Sequence, residues 1–211
     1  MRDLNTSAEA TKPKGTRRIG NVDTESRKLL LRAAEELMRE EGYAQVTSRK
    51  LASRAGLKPQ SVHYYFRTMD DLFEELFNQA IQRQLAALDW VTQQPDPLVA
   101  LFELTCDPTT AALQLEFLAL ANHRKRLQTL IREFGAELNA REAAILDQEL
   151  RRRHIATAGF SPEQLATLFQ TAARGLAFSG SFNSERFSSA RDAVVAWLRS
   201  TFDQDGLAGN R

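Results

Sequence analysis

Between Thr47 and Asp71 the chain sets short polar, cationic and aromatic side chains at helical spacing, in the run TSRKLASRAGLKPQSVHYYFRTMDD. Thr47, Ser48, Arg49, Lys58, Pro59, Gln60, Ser61, His63 and Tyr64 are candidates for meeting a nucleic acid. Cations and hydroxyls hold phosphate oxygens, and a Gln amide can pair bidentately with adenine. Local signals say how they are positioned. Thr47 is a side-chain cap for a first helix over 48–55. Gly56 stands where a helix stops in a left-handed conformation, and Pro59 where the next begins. Leu51, Ala52 and Ala55 share one side of the first helix. Val62 and Phe66 share one side of the second, with Leu57 in the turn. Pro59, Gln60, His63, Tyr64 and Arg67 fall on the opposite side. A helix-turn-helix, whose second helix enters the major groove, has this layout. A plain helical hairpin inside an all-α domain has the same spacing.

Other chemistry finds little support. His63, His123 and His154 are far apart and show no metal-ligand spacing. Phosphate-binding glycine loops and nucleophile elbows are absent, so neither catalysis nor a metal or cofactor is expected. Cys106 is the single cysteine. It forbids an intrachain disulfide, fits a reducing cytoplasm and reads as a buried small hydrophobe. Arg151, Arg152, Arg153 and His154 end a long helix, where cations meet the dipole favourably. No apolar run approaches the ~20 residues of a membrane span, and the polar N-terminus shows no signal peptide.

The motif resembles the tetracycline-repressor (TetR) family of bacterial transcriptional regulators. The likeness runs through Gly42-Tyr43, Thr47, Leu51-Ala52, Ala55-Gly56-Leu57, Ser61-Val62, Tyr64-Tyr65-Phe66 and Asp71-Leu72. It covers the first third of the chain closely and the rest by architecture. Lys58 replaces the usual capping Ser, Gln60 a common Gly and His63 a common Tyr. Met69 stands where many members have a phosphate-directed Lys, which puts one backbone contact in doubt.

Of the 211 residues, 1–68 hold 14 Lys or Arg against 8 Asp or Glu, and 69–211 hold 14 against 19. A basic head on an acidic body suits a DNA-binding module joined to a regulatory one; chance clustering of surface charge gives the same split. The expected division is a flexible basic arm over 1–22, a helix-turn-helix domain over 23–68 and a ligand-binding and dimerisation domain over 69–205. In the arm, Arg17 and Arg18 would reach a minor groove, unless the segment is an inert tail. The fold class is all-α with about nine helices. The first spans about Thr24–Glu41 and the fourth opens at Thr68. Asp96-Pro97, Asp107-Pro108 and Ser161-Pro162 mark further starts.

The body is rich in large apolar groups, which by default form a core. The resemblance implies a second use, with a subset of Phe73, Phe77, Phe102, Phe117 and Phe134 lining a pocket for a mainly apolar effector. It also implies that the last two helices pair with those of a second copy, through Phe169, Ala173, Leu176, Val194, Trp197 and Leu198. The functional expectation is therefore a cytoplasmic homodimeric repressor. It would bind a near-palindromic double-stranded operator and release it on effector binding. The alternatives are a helical interaction protein with a degenerate head, or an enzyme using the apolar cavity.

Overall fold

The computed structural model describes residues 19–180 and 182–203, so Arg17 and Arg18 lie outside the described residues. Within these there are nine α-helices, one 3-10 turn and no strand. The helices are α1 Ile19–Glu41, α2 Ser48–Arg54, α3 Pro59–Tyr65, α4 Met69–Val91, α5 Pro97–Thr105, α6 Pro108–Ala121, α7 Lys125–Arg152, α8 Pro162–Gly180 and α9 Ser184–Asp203. Helix α1 begins ahead of the expected Thr24, so residues 19–22 continue a helix that the sequence assigns to the arm.

The starts follow from side-chain caps. The Thr68 hydroxyl accepts from Asp71 N–H at 3.1 Å, while the Asp71 carboxylate accepts from Thr68 N–H at 3.0 Å. Ser161 and Gln164 form the same reciprocal box for α8. Asp96 and Asp107 each accept from N–H groups of the first turn that follows, and each precedes a Pro at the first helical position.

One hydrophobic cluster runs from α1 (Leu30, Ala34, Leu37, Met38) through α2 and α3 (Leu51, Ala52, Val62, Phe66). It continues into α4 (Leu72, Phe73, Leu76, Phe77), α6 (Leu113, Phe117, Leu120) and Leu127 of α7. The head is thus not a bead on a string. Ion pairs also cross this junction, Arg27 with Glu75 and Arg83 with Glu35 at 2.7 Å, while Arg124 holds Asp70 at 2.6 Å within the body. Each has at least one substantially exposed partner and contributes only ~0.2–1 kcal/mol, so the shared apolar core does most of the holding.

A second cluster joins the end of α4 to α5, α7 and Ala166. A third joins α5 to α8 and α9 through Val99, Phe102, Cys106, Ala173, Phe187, Val195 and Leu198. Cys106 is buried there, and desolvation pushes its thiol up to about 11. That matches an inert small hydrophobe. The basic end of α7 uses its charge more specifically than a dipole contact would. Arg153 Nε donates to Glu149 at 3.2 Å and its Nη2 to Asp96 at 3.1 Å. The side chains of Arg153 and Glu149 are 9% and 6% exposed, so this pair is a buried tie between the last turn of α7 and the cap of α5.

Candidate nucleic-acid interface and bundle cavity

Helix α2 starts because Thr47 Oγ1 accepts from Lys50 N–H at 3.3 Å. It stops in a double reverse bond, Leu57 N–H to Ala52 O at 2.8 Å and Gly56 N–H to Ser53 O at 3.2 Å. Gly56 sits between them at φ +67°. This satisfies carbonyls that a helix end leaves bare and turns the chain tightly into α3. Pro59 then takes the first position of α3, and Lys58 supplies no side-chain cap. The apolar side of α3 is anchored by Val62 and Phe66, 1% and 2% exposed.

The opposite side is solvent-facing. Pro59, Gln60, His63, Tyr64 and Arg67 are exposed, as are Thr47, Arg49 and Lys58, while Ser48 and Ser61 are half-buried. Charge pairing sorts the cations. Lys50 bonds Glu41 at 2.7 Å, and Arg54 bonds Glu40 at 2.8 Å with Glu36 and Glu41 close by. Arg49, Lys58 and Arg67 have no carboxylate partner among the described residues. These three cations flank the outer face of α3, and their charge is available to phosphates. Met69 packs against the head core. The next residue, Asp70, is paired with Arg124, so no cation takes the place of the absent Lys.

In the body, Phe77 of α4, Phe117 of α6 and Phe134 of α7 meet edge to face. Ring centroids are 5.1 Å apart for Phe77–Phe117 and 6.1 Å for Phe77–Phe134. They line a cavity of about 120 Å³ with Gln114, Leu118, Ile131, Gly135, Leu138 and Arg174 of α8. This is smaller than the ~300–1,000 Å³ of common ligand sites. Phe73 and Phe102 are elsewhere. Phe73 lies in the shared core under the Arg124 guanidinium, 5.4 Å from its ring centroid. Phe102 packs edge to face on Phe169 at 6.0 Å, between α5 and α8. A larger hollow, about 220 Å³, lies at the start of α7, but Asp70, Glu74, Arg124, Lys125 and Arg126 make it a charged surface groove. Trp90 is 54% exposed and lines none of these spaces.

Beside the cavity is a polar group that no sequence pattern marks. Glu142 of α7 is 0% exposed, and neither of its carboxylate oxygens has a hydrogen-bond partner. Burial pushes it up to about 7, against the opposing charge of Arg174 and the Gln170 amide. Gln170 acts there as a nearby dipole, because its Nε2 makes no hydrogen bond; Arg174 Nε makes none either. The signal for Arg174 was present in the sequence, since it is the only charged residue between Glu163 and Glu185.

A bond links the cavity wall to the head. Tyr43 N–H donates to Glu116 Oε2 at 2.6 Å, and the Glu116 carboxylate also closes over Gly42, at φ +84°. Glu116 directly precedes Phe117. Gln114 faces the cavity, while Glu116, two residues on, serves the turn between α1 and α2.

On the two helices expected to pair with a second copy, most of the residues named for the contact turn inward. Ala173 is 0% exposed and Leu198 5%, and Phe169, Leu176 and Val194 pack against the internal cluster. Those residues face their own chain. The outward face of α8 carries Leu168, Ala172 and Gly175, at spacings of four and three, and α9 adds Ala193 and Trp197. Leu168 is 54% exposed and Trp197 60%. Of the residues expected at an interface, Trp197 alone points clearly outward.

A helix-turn-helix head is thus fused through a common core to a helical bundle. The model of bacterial regulatory proteins of the tetR family matches residues 30–76. Among solved structures, a TetR transcription regulator from Haloarcula marismortui superposes with a TM-score of 0.68 at 19% identity, covering 84% of this chain and 98% of the other. A transcriptional regulator from Rhodococcus superposes with 0.66 at 23% identity, covering 84% and 98%. A regulator from Saccharomonospora viridis, solved with choline, gives 0.69 at 18% identity, covering 85% and 96%. A search of curated protein sequences finds no match. The head thus matches the tetR-family regulatory-protein model over residues 30–76, and the chain as a whole shares the fold of these regulators.

Proposed function

We propose that the protein is an effector-controlled transcriptional repressor that works in the cytoplasm as a homodimer. Two copies of α3 would enter successive major grooves of a near-palindromic double-stranded operator. The observation that carries this reading is the outer face of α3. Short polar and aromatic side chains stand there between three cations that no carboxylate among the described residues neutralises, while neighbouring cations are paired. Gln60 and His63 would read base edges, and Thr47, Arg49, Lys58 and Tyr64 would hold phosphates.

The aromatic cavity supports the effector half. It is lined by α4, which carries the head, and by α6, which holds the α1–α2 turn through Glu116. An occupant that prefers one arrangement of these helices shifts DNA affinity by its differential binding. The choline-bound relative supports a small-molecule site in a bundle of this kind. The exposed Leu168, Ala172, Gly175 and Trp197 would form the two-fold contact.

The test is titration of the full chain with a palindromic site selected from random duplexes. The expected dissociation constant is roughly 10⁻⁸ to 10⁻¹¹ M at physiological salt, and affinity should fall steeply as salt is added. Gln60→Ala should relax preference at one base pair at a cost of about 1–3 kcal/mol. Lys58→Ala should weaken all sequences alike. Equal binding to every duplex, or no salt dependence, refutes the proposal.

A further inference from the structure

The bundle cavity has a size, a lining and a charge, and the three together narrow the chemistry of its occupant. This inference rests on the cavity being the effector site. Its volume, about 120 Å³, is close to that of an engineered apolar cavity known to hold benzene, ~150 Å³. Three Phe rings set edge to face offer a single aromatic ring the geometry that such rings prefer.

At the α8 wall the lining changes character. Arg174 reaches the cavity, and its Nε has no hydrogen-bond partner. A guanidinium left partly unsatisfied against an apolar hollow is a costly arrangement unless something completes it. Glu142 does not, since no ion pair forms between the two and both carboxylate oxygens remain bare. Nor does Glu142 face the cavity: it is 0% exposed and is not part of the lining. A molecule entering between the rings therefore meets the cation. Gln114, on α6, is the other polar group of the lining and can hydrogen-bond a substituent.

We propose that the effector is a small aromatic carboxylic acid, its ring held by Phe77, Phe117 and Phe134 and its carboxylate paired with the Arg174 guanidinium. A planar carboxylate suits the guanidinium fork, and the pair gains from the low-dielectric setting. A quaternary amine such as choline is disfavoured here, because it would stand against Arg174.

The experiment uses the full chain with benzoate and phenylacetate as probes. Benzamide and benzyl alcohol are the uncharged counterparts, and choline is the cationic control. Affinity is read by calorimetry, and operator release by mobility shift. Benzoate or phenylacetate should bind roughly 10- to 100-fold more tightly than the uncharged compounds, and should release DNA. Arg174→Met should erase that advantage, weakening benzoate far more than benzyl alcohol, and Arg174→Lys should restore part of it. The double variant Arg174→Met/Glu142→Gln removes both buried charges and keeps the comparison valid if the single variant unfolds. Equal affinity for charged and uncharged aromatics overturns the carboxylate class and leaves an effector cavity. Choline binding that outcompetes benzoate overturns it as well. If no aromatic probe binds, the effector reading of the cavity falls with the proposal.

Discussion

Replacing Glu142 by Gln should convert a pH-dependent protein into a flatter one, and the size of the change follows from the site. The carboxyl is pushed from 4.5 up to about 7 by burial. That shift corresponds to about 3 kcal/mol, and the attraction of Arg174 is already counted within it. Between pH 4.5 and 7 the folded chain keeps a proton that the unfolded chain has released. Stability therefore falls as pH rises through this window and is lowest above 7. Gln is close in shape to the protonated acid and leaves the same site without hydrogen bonds. Wild type and variant should match near pH 4.5, and the variant should be more stable by about 3 kcal/mol above pH 7. Urea denaturation of both proteins at unit steps from pH 5 to 8 isolates the effect, because all other groups cancel in the difference. A difference that does not change with pH would show that Glu142 is not buried as a neutral acid.

Gly56→Ala should destabilise the chain by about 1 kcal/mol. Position 56 has φ +67° and open space for a Cβ, so only the backbone conformation opposes the change. Asn at 56 should fall between Gly and Ala in a melting experiment, and Ala as stable as Gly would refute the account. Glu116→Ala leaves Tyr43 N–H without its charged acceptor and should cost about 1.5–3 kcal/mol. Glu116→Gln keeps an acceptor oxygen and should recover part of this; identical denaturation curves for the two variants would contradict the clamp. Leu168→Asp should yield monomers by light scattering with unchanged helical circular dichroism, since the side chain is exposed within one chain. An intact dimer would show that α8 does not mediate the contact through this face.

The head was legible because its determinants act over a few residues. Thr47, Gly56, Pro59 and the Thr68–Asp71 pair each shape only their own turn, and all appear where expected. The two faces of α8 were not legible. Leu165, Leu168, Phe169, Ala172, Ala173 and Leu176 form one unbroken stripe across about 140° of the helix, and only long-range packing decides which edge of it turns inward. Phe102 was misplaced for a related reason. Every residue from Pro97 to Phe102 is buried, so helical period carries no direction there. Glu142 lies among other charges on α7 and reads alone as an ordinary solvated carboxylate, whereas Arg174, isolated in an apolar stretch of α8, carried a signal in the sequence.

The apolar cluster shared by head and body has a consequence for how regulators of this kind can be recombined. A chimera spliced at Thr68, joining this head to a relative's bundle, would set Phe66, Leu37 and Met38 against an unfamiliar α4 and α6. It would also strand Tyr43 N–H unless the new α6 offered a carboxylate at the place of Glu116. The helix-turn-helix head is therefore not a detachable cassette. Outer-face residues such as Gln60 and His63 can be exchanged one at a time, whereas a whole head must travel with the helix surfaces that complete its interior.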